Sequence, residues 1–246
     1  MTLHPSPLAS SLAETLRNAL AQPPSRILPL SVEGQVYWLK RVEAHRNPLH
    51  RLQKGNAGRA LAADRAGLAE MARRGLPAPK VLAEGPDFLL TEDVGRPAAT
   101  WLRDPSVSDD TRHTILSDAA RALARLHRAG LCHGRPYLKD ICWTPEGGAV
   151  FIDFETFSAD SGDRAIGRDL LLFLQSVLVV RRARDGFLDT AIDAYRAEAP
   201  AQAWEAARNR LHGLRWLMPL AQGVLKVRPR SKEIRAAVEL RAVFGL

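Results

Sequence analysis

The sequence predicts an α+β protein of two lobes: a small antiparallel β-sheet lobe with one helix over residues 1–93, and a larger, mainly helical lobe over residues 94–246. Up to Asp93 the apolar residues fall in short runs punctuated by Gly and Pro at turn spacing, as strands and hairpins require. Beyond Gly95 they recur at intervals of three and four over long stretches, the period of an amphipathic helix. No internal repeat or low-complexity linker interrupts the 246 residues, of which 46% are hydrophobic, enough to bury a full core in one or two domains.

From Met1 to Gln22, the spacing of Leu12, Leu16 and Leu20 marks a short amphipathic helix, and the absence of a basic start argues against a secretion signal. Ile27 to Leu30 and Val36 to Leu39 read as the strands of a hairpin with Gly34 at its turn. Ala60 to Arg73 has helix composition and stops at Gly75, with Pro77 and Pro79 beyond. Val81 to Ala83 and Phe88 to Leu90 are two further strands around Gly85 and Pro86, which places the seam between lobes at Asp93 to Gly95.

In the second lobe, Thr111 to Ala129 is a helix whose apolar face carries Ile115, Ala119, Leu123 and Leu126, and it ends at Gly130. Ile141 to Trp143 and Val150 to Ile152 form a short strand pair that turns at Gly147 and Gly148. From Asp169 the chain reads as helices broken near Gly186, Pro200, Gly213 and Pro229. The longest apolar run, Leu170 to Val180, is too short to span a bilayer and contains Gln175, so it reads as a buried core helix.

Thirty-five basic residues against 27 acidic ones give a net charge of +8, a field that favours anionic partners: ATP, phosphorylated sugars, anionic lipid or nucleic acid. Nucleic acid is the least supported of these, because only 6% of the residues are aromatic and no DNA- or RNA-reading motif accompanies the charge. Cys132 and Cys142 fit a reducing, cytoplasmic compartment. Their spacing to His127 and His133 is not a zinc pattern, and they read as buried thiols.

The chemistry is concentrated between Leu126 and Ile141, L-H-R-A-G-L-C-H-G-R-P-Y-L-K-D-I, and in the strand Phe151-Ile152-Asp153-Phe154-Glu155. These segments resemble the catalytic and metal-binding loops of protein-kinase-like phosphotransferases, in which L-H-x-x-G-x-x-H-G-D-x-x-x-x-N-I precedes a strand ending in I-D-F. Among these the chain is most similar to the lipopolysaccharide (Kdo and heptose) kinase family. The resemblance runs from about Ile27 to Val180 and implies a two-lobed kinase-like fold. It also implies ATP and magnesium as cofactors, with Asp140 and Asp153 as metal ligands.

Arg135 lies five residues before Asp140, and Asp140 lies thirteen before Asp153, the intervals between base, first metal ligand and second metal ligand in the family. Lys40 matches the lysine that holds the nucleotide's phosphates. Asp64 is its expected acidic partner, one methylene shorter than the family's glutamate, with Glu70 as the second choice. Backbone groups near Glu92 and Val94 match the hinge that meets adenine. Ser31 to Gln35 carries one glycine where a phosphate-covering loop would carry a series. His133 belongs to the catalytic loop, and Asp169 either bonds the backbone of that loop or caps its own helix.

Two positions depart from the family pattern: Arg135 stands where the catalytic Asp belongs, and Asp140 replaces Asn. A guanidinium stays protonated and cannot act as a general base, a role worth roughly 10² to 10⁴ in rate. Phosphoryl transfer rests mainly on positioning and electrostatics, so loss of the base slows the reaction without silencing it. Arg135 can instead clamp an anionic acceptor. Three functions stay open: a phosphotransferase acting on a sugar or glycolipid hydroxyl, a pseudokinase that binds nucleotide or partner, and an adenylyl transferase. The glycolipid reading implies peripheral contact with the inner membrane, for which Arg228 to Phe244 is one candidate; packing of that segment on the helical lobe is the other.

Overall fold

The computed structural model describes residues 8–42, 51–159, 162–228 and 230–246. The chain divides into two compact units, Met1–Val94 with Asp153–Thr156 and Gly95–Ile152 with Phe157–Leu246.

The first unit begins with α1 (Ser10–Ala21), and the first seven residues of the segment expected to be helical lie outside the described residues. β1 (Ile27–Val32) and β2 (Gln35–Arg41) follow as a hairpin, then α2 (Arg51–Arg73), β3 (Val81–Gly85) and β4 (Phe88–Glu92). The strands form one antiparallel sheet in the order β1-β2-β4-β3. Val32 pairs with Gln35, so the β1–β2 turn is two residues long, and both Glu33 (φ 51°) and Gly34 (φ 81°) are left-handed. A turn of that length in a right-twisted hairpin demands positive φ at both positions, which is why glycine stands at 34.

One face of the sheet is sealed by α1: Leu12, Leu16 and Ala19 are buried with Leu30, Leu39 and Leu90. Leu39 is fully buried, and its truncation to Ala would cost about 2–5 kcal/mol. Arg41 closes the end of α1 by donating to the carbonyls of Ala19, Leu20 and Gln22 at 3.0–3.1 Å, satisfying acceptors that a helix C-terminus leaves open. α2 starts at Arg51 instead of Ala60. Gly55, Asn56 and Gly58 are weak helix formers and conceal that first stretch in the sequence.

Among its described residues the second unit contains β5 (Arg96–Pro97), α3 (Ala98–Arg103), α4 (Asp109–Arg128), β6 (Ile141–Thr144), β7 (Gly148–Phe151) and five further α-helices. β5 and α3 are too short to show a period, and the sequence did not reveal them. β5, β6 and β7 form an antiparallel sheet in that order. Thr144 pairs with Gly148 and accepts the Gly147 N–H at 2.9 Å, so the turn spans residues 145–147 and Gly148 already belongs to the strand. α4 is capped by Ser108, whose hydroxyl accepts the Thr111 N–H, one residue pair earlier than its apolar period suggests.

The remaining helices are α5 (Asp163–Arg181), α6 (Gly186–Glu198), α7 (Ala203–Gly213), α8 (Met218–Val227) and α9 (Lys232–Val243). α5 is the core helix expected from the run at Leu170; Leu170, Phe173, Leu174, Val177 and Leu178 are buried along it. No helix among the described residues is long and apolar enough to cross a membrane. α7 lies close on α5 because Gly167 has no side chain: a Cβ there would sit 2.7 Å from the carbonyl of Ala206. α9 packs on α5 with Ala236 and Leu240 buried and Gln175 bonded to the Glu233 carbonyl, and the following Phe244 stacks on Trp204 of α7, so the Lys232–Val243 part of the candidate membrane segment packs on this unit. α8 differs, because it and the turn Arg215–Leu217 before it bury no residue.

Candidate functional site

Within the first unit three residues far apart in sequence converge. Lys40, near the end of β2, places its Nζ 2.7 Å from Asp64 Oδ2 and 3.5 Å from Asp153 Oδ1. Asp64 projects from α2 and is buried, and its second oxygen accepts the Phe154 N–H at 2.7 Å. One carboxylate therefore holds both the lysine and the backbone beside Asp153. The missing methylene leaves no gap, since α2 comes close at this point: a Cβ on Gly67 would lie 2.5 Å from Phe154 Cβ.

Asp153 itself adopts φ 66°, a left-handed conformation costly for most residues but accessible to Asp and Asn. β7 ends at Phe151, so Asp153 lies beyond the strand and not inside it as the apolar flanks suggest. Burial alone would lower the Lys40 pKa, but the charge and hydrogen bond of Asp64, then the charges of Asp153 and Glu155, outweigh it and hold the ammonium above its ordinary range. Glu155 is paired with Arg26 at 2.6 Å. Glu70 is excluded as the lysine's partner: it bonds Arg73 and Arg74, one turn along α2, and those bonds pull its pKa down to about 2.

Glu92 ends β4 as part of the sheet; its N–H donates to the Lys80 carbonyl, and its side chain accepts the Lys80 N–H. Val94 follows at the end of the unit, and the intervening Asp93 accepts Trp38 Nε1–H at 2.7 Å. The hinge candidates are thus anchored to the sheet. The connection at Ser31 to Gln35 is the tight turn described above, with Glu33 tied to Ser11 at 2.9 Å, too short to fold over a ligand.

In the second unit the loop from Cys132 to Asp140 is held from inside. His133 is fully buried, its Nδ1 accepting the Arg135 N–H at 3.3 Å and its Nε2 donating to the Ile152 carbonyl at 2.9 Å. Both ring nitrogens of His133 are thus engaged within the frame of the loop. Asp169 is also fully buried and accepts the Gly134 N–H with both oxygens at 3.0 and 3.1 Å. It lies inside α5, whose N-cap is Gly162, which removes the capping alternative and leaves the loop-bracing one.

Behind this brace, His127 Nδ1 meets the Tyr195 hydroxyl at 2.7 Å, and its Nε2 lies 3.6 Å from Asp169. Burial first, then the Asp169 charge, pushes the Tyr195 pKa well above its ordinary value, so the phenol keeps its proton. The ligand atoms of His127, Cys132 and Asp169 lie within 4.8 Å of one another, an approach invisible in the sequence spacing.

Asp140 ends the 3-10 turn Leu138–Asp140, and its N–H is held by the Tyr137 carbonyl. Its carboxylate is buried, with Lys139 Nζ at 2.6 Å and Arg135 Nε at 3.9 Å. A buried carboxylate is costly unless compensated, and these two cations compensate it. Sequence reasoning missed the Phe154 N–H bond to Asp64 and the roles of Gly67 and Gly167; glycines within helical runs were the available signal.

An uncharacterized protein of Haemophilus influenzae (strain ATCC 51907 / DSM 11121 / KW20 / Rd) is 29% identical over 208 residues, 84% of each chain. The crystal structure of monomeric WbdD matches 69% of this chain and 44% of its own, with 17% identity and a TM-score of 0.50. The structure of the bifunctional kinase-methyltransferase WbdD matches 75% of this chain and 47% of its own, with 16% identity and a TM-score of 0.49. The chain spans less than half the length of these solved structures, and the likeness to monomeric WbdD is one of the kinase-like α+β fold alone. The sequence pattern of the lipopolysaccharide kinase (Kdo/WaaP) family matches residues 32–206, more than half of the chain, and the protein belongs to that family.

Proposed function

We propose that this protein is an ATP- and magnesium-dependent phosphotransferase that phosphorylates a hydroxyl of an anionic sugar or glycolipid. The observation that carries the reading is the Lys40–Asp64–Asp153 cluster, a largely buried cation held ready between two carboxylates, one of them on a left-handed backbone. Holding Asp153 on a left-handed backbone costs stability, and a ligand that uses its carboxylate accounts for that cost. Lys40 would hold the nucleotide's phosphates, and the backbone near Glu92 and Val94 its adenine.

Asp140 and Asp153 offer the hard oxygen donors that magnesium takes, and the aspartate at 140 carries a charge that the family's asparagine lacks. Bound there, the ion would neutralise charge on the phosphate oxygens. The acceptor's hydroxyl oxygen forms the new bond to the terminal phosphorus, the bond from that phosphorus to the bridging oxygen breaks, and ADP leaves. The hydroxyl proton departs late and passes to water, so Arg135 acts by clamping an anionic acceptor and no strong base is needed. The turn at Arg215–Leu217 and α8 leave Trp216, Leu220 and Val227 exposed beside Arg215, Lys226 and Arg228, a surface suited to peripheral contact with an anionic membrane on the cytoplasmic side.

A second reading, a nucleotide- or partner-binding pseudokinase, is favoured by one observation: Lys139 and Arg135 already flank the Asp140 carboxylate. Asp153→Asn separates the two, because Asn retains the left-handed backbone while losing the charge. With γ-labelled ATP, magnesium and phosphorylated sugar acceptors, transfer by the native chain and a loss of at least about 10²-fold in the variant support the phosphotransferase. Equal transfer by the two chains refutes the site. Label arriving from the α-phosphate instead identifies an adenylyl transferase.

A further inference from the structure

The second unit contains a cavity of about 590 Å³ lined by Arg164, Arg168 and Arg210 together with Ser158, Gly162 and Ala165. Arg164 and Arg168 are four residues apart in the first turns of α5, and so lie on one face of the helix. Arg210 comes from the last turn of α7. It reaches them because Gly167, between the two, lets the backbone at Ala206 and Ala207 come close to α5.

Each local rule of stability opposes this grouping. Like charges four residues apart on a helix repel. Arg164 sits in the first turn of α5, where the helix dipole already places positive potential and disfavours a cation. No carboxylate lines the cavity among the described residues, and Arg168 Nε is buried without a hydrogen-bond partner. Burial, then the charges of Arg164 and Arg168, depresses the pKa of Arg210, the electrostatic signature of cations gathered without their counter-charge. On the same helix as Arg210, Arg208 pairs with Glu205 at 3.6 Å.

We propose that Arg164, Arg168 and Arg210 form a binding site for a phosphate or carboxylate group, the means by which the protein would hold an anionic acceptor. The binding itself is independent of the phosphotransferase reading; only its use for an acceptor rests on that reading. Guanidinium groups from two helices offer planar, multidentate donors to the oxygens of such a group, and the open N-terminus of α5 adds its own positive potential.

The test uses the full chain, with no nucleotide, at constant ionic strength, titrated separately with inorganic phosphate and with acetate, and followed by calorimetry and thermal unfolding. Arg168→Gln and Arg210→Gln are compared with Arg208→Gln. The native chain and Arg208→Gln should bind phosphate alike, and binding should fall by at least about tenfold in Arg168→Gln and Arg210→Gln. Without anion those two variants should melt at or above the native temperature, because repulsion has been relieved. Stronger binding of phosphate than acetate assigns the site to a phosphate, and the reverse to a carboxylate. Equal phosphate binding by all four proteins overturns the proposal. Variants that melt well below native in the absence of anion also overturn it, since the arginines would then be structural.

Discussion

The Lys40–Asp64 pair can be measured with a double-mutant cycle built from Lys40→Met, Asp64→Asn and the two together. Asn at 64 keeps an oxygen for the Phe154 N–H and removes only the charge that faces Lys40 at 2.7 Å. At that separation the gross attraction is about 6 kcal/mol for an effective dielectric of about 20, most of it offset by desolvation. The side chain of Asp64 is 2% exposed and that of Lys40 21%, so solvent screens the pair only slightly. Breaking one partner of a buried pair costs about 3–5 kcal/mol. Lys40 still has Asp153 at 3.5 Å after Asp64→Asn, which puts that variant at the lower end, about 3 kcal/mol. For a chain of this length such a loss lowers Tm by roughly 6–12 °C. The double variant removes the residual unpaired charge, and the coupling energy should be about 2 kcal/mol. Thermal and urea unfolding read these values. If the two single effects add to within about 0.5 kcal/mol, the pair is not coupled and the lysine is not held as described.

Four further outcomes are expected. Gly167→Ala should destabilise by about 2 kcal/mol or more despite alanine's better helix propensity, because its Cβ would meet backbone at 2.7 Å, whereas Gly223→Ala, with nothing within 4 Å, should stabilise by about 0.5–1 kcal/mol; unfolding titrations read both signs. Asp169→Asn removes one of two acceptors of the Gly134 N–H, and amide exchange at Gly134 should accelerate while amides in α4 keep their protection. The Lys40 and Tyr195 pKa values are both raised in the folded state, so the stability each supplies is complete below its unfolded value (10.5 and 10.0) and declines as pH rises above it. Urea melts between pH 9 and 11 should show that decline, and Lys40→Met and Tyr195→Phe should each flatten it. Asp153→Ala should lose about 1 kcal/mol more stability than Asp153→Asn, since alanine tolerates the left-handed backbone poorly; equal melting of the two would refute that account.

Much of the site was legible in the residues themselves. The two intervals from Arg135 to Asp140 and from Asp140 to Asp153 are covalent distances, and they identified the loop and the strand end before any coordinate was known. Asp64 was readable as a partner for Lys40 only through the resemblance, because it stands where the family carries its helix glutamate. The resemblance could not reject Glu70; that required the neighbouring Arg73 and Arg74, which take its carboxylate at the surface.

Local pattern determined the order of strands and helices, the hairpin at Gly34, the core helix from Leu170 and the residues of the catalytic-type loop, because period, turn chemistry and side-chain type act within a few residues of themselves. Tertiary structure alone decided which groups meet: Asp64 with the Phe154 N–H, Asp169 with Gly134, and Arg210 with Arg164 and Arg168 across the gap left by Gly167. It also decided that α9 packs on its own unit while α8 remains exposed. These pairings depend on how closely two backbones approach and on which charges lose their water, quantities set by the packing of segments far apart in the chain.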